Sequence, residues 1–460
     1  MSLEPQPDGF FPAQRVEWLH GWFNSSGELA MAQPNRSVVQ AIVGGVLTAA
    51  LLLAPRMAPA QEPGAAAGST WLQWRGAARD GTVAGPTWPD KLEPSRLEQL
   101  WHADLGPGYS GPLVTEKTVF VTETRDAKTE HVRALDRATG KELWQAGWDG
   151  NMTVPFFAAS NGSWIRATPA IDGGRIYVAG MRDLLVCLDA ETGAEVWRVD
   201  FVKDLKSELP AFGFVSSPLV LDDAVYVQAG GGFCKLDKAT GKLLWRVLDD
   251  GGGMNGSAFS SPLLATIGGV RQLLVQGRTD LAAIDPDTGN VLWKRPVEAF
   301  RGMNIVTPTV SDGKVFTTSY GGGSFLFDVP APGAQPPEPV WRNKVQGYMS
   351  SPIVRDGHAF VHLRNQRFAS LDLATGKEDW ITEPFGKYWS LVAQGDRILA
   401  LDETGDLRLV RATPEKFELG GEAKVANRES WAHLAVTAAA DGSIELWVRD
   451  LSGITAWRWK

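Results

Sequence analysis

"RALDRATGKELW" (133–144) sets an Asp, a Thr-Gly pair and a Trp at fixed offsets, and the phrase returns four times. The other copies are "VCLDAETGAEVW" (186–197), "CKLDKATGKLLW" (234–245), "AAIDPDTGNVLW" (282–293) and "ASLDLATGKEDW" (369–380). Five copies in one chain mark a repeated structural unit. The apolar residues before each Asp read as a half-buried strand. Gly140 suits the left-handed position of a tight turn, and Asp136 is placed to accept from the backbone N–H groups ahead of it. "KELW" returns as a second strand ending on a large ring. The phrase is therefore a β-hairpin, not a cofactor motif.

Each hairpin follows another, as in "TPAIDGGRIYVAG" (168–180) and "SPIVRDGHAFVHL" (351–363). Two hairpins make a four-stranded antiparallel sheet. The spacings from Trp144 to Trp197, Trp245, Trp293, Trp341 and Trp380 are 53, 48, 48, 48 and 39 residues. That period with four strands predicts an all-β, eight-bladed β-propeller with tryptophan-docking repeats. Six units start at Gly111, Thr168, Ser217, Ser261, Thr307 and Ser351. Residues 390–419 form a degenerate seventh, with Phe417 near the Trp slot. Residues 433–459 supply only three strands of an eighth, so 97–105 with Trp101 is expected to provide its outer strand and close the ring. Seven blades is the alternative, if unit seven is an insertion. The propeller spans 97–460 and 62–96 is an N-terminal segment.

The net charge of −8 and the lack of a Lys/Arg run argue against nucleic acid as a partner. Residues 1–61 contain a secretory-signal pattern: Arg36, an apolar core at 38–54, and "APA" before Gln61. This predicts a periplasmic or secreted protein, with an uncleaved N-terminal membrane anchor as the alternative. Met31 is the expected true start, because residues 1–30 fit no signal. Cys187 and Cys234 are expected as free thiols, and no CxxC or CxxCH occurs. His358 and His362 are four apart on a predicted strand, but no metal site is expected. A monomer is expected.

Candidate function lies on one face. The entries to the innermost strands pair an aromatic with small hydroxyl residues: Tyr109, Trp164, Phe214, Phe259, Tyr348, Trp389 and Trp431. The same face receives Arg166, Arg182, Arg278, Arg301 and Arg364. An aromatic ring with several guanidinium groups suits a planar anion. The other reading is structural: the rings plug the channel and each Arg pairs with an Asp, such as Asp183 or Asp280.

The pattern A-x-D-x-x-T-G-x-x-x-W in "ALDRATGKELW" and "AIDPDTGNVLW" resembles the blades of pyrroloquinoline quinone (PQQ) propellers. That superfamily takes in quinoprotein alcohol and glucose dehydrogenases and the β-barrel assembly lipoprotein BamB. "WLQWRGAARDG" (71–81) resembles the opening of secreted bacterial PQQ-like repeat proteins. The resemblance implies PQQ as a cofactor, Ca²⁺ held by Glu, Asn and Asp, a vicinal Cys–Cys disulfide and an Asp base. Adjacent cysteines are absent here, the calcium set cannot be placed, and Asp183 and Asp280 match the base by position only. The assembly-factor branch implies an acylated Cys after the signal, which is also missing. The expectation is a binding scaffold for a protein partner or small anionic ligand. Its hypothetical pocket comprises Trp164, Arg166, Arg182, Arg278, Arg301, Tyr348, Arg364 and Trp389. A divergent PQQ-dependent oxidoreductase is the alternative.

Overall fold

A computed structural model describes residues 68–460 apart from 255, 257 and 330–334. The signal segment and Met31 lie outside the described residues. Eight four-stranded antiparallel sheets follow one another along the chain. Blades one to seven occupy 113–149, 170–200, 219–247, 263–296, 309–343, 353–381 and 390–424. In the eighth, the strands Ala435–Ala438, Ile444–Asp450 and Gly453–Trp459 are completed by Leu97–Asp104. The register runs from Leu97 opposite Trp459 to Asp104 opposite Gly453, so the two ends of the propeller share one sheet. Unit seven is a full blade, which settles the count at eight. Its Phe417 precedes the outer strand and packs on Trp380 of blade six at 5.7 Å.

The repeat's chemistry is visible in its turn. The Asp136 carboxylate accepts from the Thr139 backbone N–H at 2.9 Å and from its hydroxyl at 2.6 Å. Asp189 and Asp237 do the same for Thr192 and Thr240. Gly140 has φ +71°, and a Cβ there would fall 2.6 Å from the Trp101 ring of the eighth blade. Gly193 stands in the same relation to Trp144, and Gly241 to Trp197. The glycine thus serves twice, as the left-handed turn residue and as the bare surface on which the preceding blade's indole docks. Trp101, Trp144, Trp197 and Trp341 each donate Nε1–H to a carbonyl just after the next blade's turn Asp, that of Arg137, Ala190, Lys238 and Leu373.

A β-bulge interrupts every outer strand. In seven blades, the eighth with Trp101 included, the register slips just before the docking Trp; in blade seven it slips before Gly421. The extra residue, Leu143 in blade one, points outward and is 56% exposed, while Trp144 is half-buried against the next blade. Bulges at an edge strand also discourage edge-to-edge pairing.

Hydroxyls lace the inner strands together. Thr168 Oγ1 accepts from Gly111 N–H, Ser217 Oγ from Thr168 N–H, Ser261 Oγ from Ser217 N–H and Ser351 Oγ from Thr307 N–H, at 2.9–3.1 Å. Residues 71–83 lie in the central channel. Trp71 pairs with Val114 of blade one, and Thr82 bridges to Ala393 of blade seven. Arg79 donates to the carbonyls of Ser217 and Pro218, and Arg75 to that of Pro352. Burial pushes the Arg75 guanidinium down to about 10 and that of Arg79 to about 9. Cys187 and Cys234 are free thiols, buried in one apolar layer between blades two and three.

Candidate functional site

The strand-entry loops surround a cavity of about 800 Å³ at the mouth of the channel. Trp74 of the channel segment and the hydroxyl residues Ser217, Ser261, Thr307, Ser351 and Ser390 line it. Those hydroxyl groups are largely committed to the bonds between blades, and Thr307 also accepts from the Trp74 indole at 3.3 Å. His433 lines it too, edge-on to Trp74 at 4.8 Å. Burial and the nearby Arg75 push its imidazole down to about 3, so it is neutral.

The walls are aromatic. Tyr109 stacks on Trp431 at 5.2 Å, Trp431 meets Tyr388 at 4.5 Å, and Tyr388 meets Tyr348 at 6.0 Å. Tyr348 continues to Tyr320 at 5.3 Å and Tyr320 to Phe300 at 5.1 Å. A second chain joins Phe157, Phe212 and Phe259 at 6.1 and 5.5 Å. Four guanidinium groups lie on these faces: Arg166 on Tyr109, Arg278 on Phe259, Arg301 on Phe300 and Arg364 on Tyr320, at 5.9, 4.5, 5.1 and 4.4 Å.

The residues singled out from sequence divide. Arg166, Arg278, Arg301, Tyr348 and Trp389 line the cavity. Trp164 and Arg182 do not. Arg182 is exposed and reaches the Asn151 carbonyl at 3.3 Å. Arg364 lines a neighbouring basin instead. Phe214 is 2% exposed and packs on Phe201 between blades two and three, away from the mouth.

The expected Asp partners are elsewhere as well. Asp183 is buried and accepts from the Gly230 N–H at 2.8 Å, while Asp280 pairs with Lys294 at 3.1 Å. Backbone carbonyls hold two of the three cavity arginines in their place, and the third, Arg301, lies on Phe300. Arg278 donates to Gly302, Arg301 and Gly256 at 2.6, 2.9 and 3.0 Å. Arg166 donates to Trp164 and Gly162 at 3.2 and 3.1 Å. Burial lowers the Arg166 guanidinium to about 10, the nearby Tyr109 and Glu130 working against that fall.

Sequence reasoning missed Tyr388, Tyr320, Phe300, Phe157 and Trp74. Tyr388 sits next to the chosen Trp389, with its backbone in the left-handed region at φ 47°. That conformation is unfavourable for a bulky residue and breaks the strand alternation. Tyr388 reaches the aromatic wall, while Trp389, 2% exposed, packs on Phe385, Phe368 and His362.

The quinone chemistry of the superfamily does not fit these residues. Among the described residues no carboxylate lines the cavity, and no group of three or more His, Cys, Asp or Glu is placed to hold a metal ion. The N–H donors of Arg166 and Arg278 that would meet carboxylates are turned to backbone carbonyls.

A family profile described as "Outer membrane protein assembly factor BamB" matches residues 128–382. The BamB of Moranella endobia (strain PCIT) is 24% identical over 315 residues, covering 64% of this chain and 74% of that protein. A quinone alcohol dehydrogenase subunit of Gluconobacter oxydans (strain 621H) is 30% identical over 166 residues, covering 33% of this chain and 21% of that protein. Two solved structures share the fold. BamB from Moraxella catarrhalis aligns with TM-score 0.57 at 18% identity, over 79% of this chain and 98% of that one. Quinohemoprotein alcohol dehydrogenase ADHIIG from Pseudomonas putida HK5 aligns with TM-score 0.62 at 13% identity, over 85% and 80%. With more than half of its length matched by that profile, the chain belongs to the outer membrane protein assembly factor BamB family of PQQ-like β-propellers.

Proposed function

We propose that this protein is a binding scaffold of the bacterial cell envelope that holds an apolar segment of a partner protein at its channel mouth. One observation carries the reading. Phe156 and Phe157, side by side in the 3₁₀ turn Phe156–Asn161, are 91% and 57% exposed, and Met254 and Phe300 are 48% and 46% exposed. Phe157, Met254 and Phe300 line the cavity mouth. Large apolar side chains left in water around a concave site mark an interaction surface, and aromatic anchors dominate such interfaces. The relatives named as outer membrane assembly factors support a protein partner. The signal pattern at 35–61 supports export, which N-terminal sequencing of the mature protein tests.

The partner reading is tested by photo-crosslinking in cells, with benzoylphenylalanine at Phe157 or Phe300 and, as control, at Leu143 on the outer wall. A discrete polypeptide adduct is expected from the first two positions only. The same adduct from Leu143, or substrate-dependent dye reduction by purified protein given PQQ, Ca²⁺ and a panel of alcohols and sugars, would overturn it.

A further inference from the structure

A second basin of about 400 Å³ opens beside the main cavity and shares Tyr348 and Tyr388 with it. Arg364 and Lys387 line it. Neither side chain makes an ion pair or hydrogen bond among the described residues, and no carboxylate is among the described residues of the lining. Glu403 stands nearby, accepting from the Lys387 backbone N–H at 2.5 Å, and offsets part of the charge. The lining also holds two deeply buried polar side chains: Ser350, whose hydroxyl has no partner, and His362, whose imidazole is held toward the backbone of Phe385 and Gly386 but keeps one nitrogen unpaired. Ser350 and His362 are 3% and 4% exposed, and Ser350 Oγ and His362 Nε2 take no hydrogen bond. Buried polar atoms are seldom left so.

We propose that this basin is an oxyanion site, where Arg364 and Lys387 hold a carboxylate or phosphate and Ser350 and His362 complete its hydrogen bonds. Arg364 is already laid on the Tyr320 ring at 4.4 Å, so its planar fork is oriented before a ligand arrives. Charge-assisted bonds from such a fork are the strong ones. The phenol of Tyr348 lies close enough to those of Tyr320 and Tyr388 and to Arg364 to feel them electrostatically. His362 stacks on Trp389 at 4.6 Å, and burial pushes its imidazole down to about 4. It therefore offers a neutral hydrogen-bonding edge and not a third charge. His358, at the other end of the strand His358–His362, pairs with Asp379 at 2.8 Å.

The oxyanion has two sources, a free small anion or an acidic side chain of a bound polypeptide. Calorimetric titration of the purified protein with inorganic phosphate, D-glucuronate and acetyl-tetraglutamyl amide, at constant ionic strength, distinguishes them. Saturable binding of at least one probe is expected. Arg364→Ala/Lys387→Ala should weaken it about tenfold or more, the scale of losing a charge-assisted hydrogen bond. Ser350→Ala should weaken it less, and the exposed Arg182→Ala not at all. Preference for the first two probes assigns a free anion, and preference for the peptide assigns a partner's acidic group. No saturable binding, or an equal loss in Arg182→Ala, overturns the site. Arg364 and Lys387 are exposed, so their loss leaves the fold intact. The crosslinking at Phe157 reads the main cavity, whose lining at that residue the basin does not share, so failure of either test leaves the other reading standing.

Discussion

The indole at the end of each repeat is a different interaction from blade to blade. Trp197 is 9% exposed, lies on Gly241 and donates to the Lys238 carbonyl at 3.1 Å. Trp245 lies on Gly289 in the same way, but its Nε1 has no partner. The equivalent carbonyl, that of Pro286, accepts instead from the Tyr226 hydroxyl and the Lys235 ammonium at 2.9 and 2.7 Å. Trp197→Ala should cost about 3–5 kcal/mol, as a large-to-small core change. Trp197→Phe should cost about 1 kcal/mol more than Trp245→Phe, because only the first loses a hydrogen bond. Denaturation midpoints of the four proteins check both, and equal costs for the two Phe variants would reject the hydrogen-bond argument. Glu130 offers a second test. Burial raises its carboxyl from the usual range to about 7, although Met181 N–H and the Trp148 indole donate to it at 2.9 and 2.8 Å. A folded pKa above the unfolded one means the native state holds the proton more tightly. Stability therefore falls as pH rises from about 4.5 to about 7, by up to about 3 kcal/mol for this group. Asp183, raised to about 7 by burial, acts in the same direction. Glu130→Gln should flatten the decline of melting temperature between pH 5 and 8. A profile parallel to that of the parent protein would show that another group sets the slope.

At the level of the element, the bulge in the outer strand of blade one decides which of two adjacent apolar residues is buried. Without it, strict alternation would bury Leu143 or Trp144 according to the pairing register. With it, Leu143 faces water and Trp144 reaches the Ala190 carbonyl of the next blade at 3.2 Å. Leu143→Glu should then shift stability by no more than about 0.5 kcal/mol, the range of surface changes. A loss of several kcal/mol in a thermal melt would place Leu143 in a packed layer. The sequence shows the Leu-Trp doublet but not the bulge, because an extra residue is defined only against the strand it pairs with.

For the whole molecule, the eighth blade makes the ring a single cooperative object. Its outer strand is donated by Leu97–Asp104, and Trp101 from that strand docks on Gly140 of blade one. Each blade buries its faces only against its neighbours, so opening the ring exposes two apolar layers at once. Truncation after Glu429 should destabilise every blade together, seen as one transition shifted strongly to lower temperature or as failure to fold. A truncated protein that melts like the parent would disprove closure. Residues 71–83 add a second tie, since Arg75, Arg79, Trp71 and Thr82 bond to strands or strand entries of different blades.

The repeat by itself determined the fold class, the blade count up to one alternative, and the strand that closes the ring, because these follow from local period and from counting strands. It also marked the face bearing Arg166, Arg278, Arg301 and Tyr348, because equivalent loops of equivalent blades must gather at one end of the channel. Only the tertiary structure decided what those side chains do there. Arginine donors turn to whichever carbonyls the folded loops present, and no local pattern could say that Arg278 would be spent on Gly302 and Gly256 while Arg364 stayed without such partners. The left-handed backbone at Tyr388 added Tyr388 to the aromatic wall beside the buried Trp389, and the fold set Trp74 of the channel segment in the same lining. Those outcomes depend on contacts between residues hundreds of positions apart, where packing and hydrogen-bond competition, not sequence spacing, choose the winner.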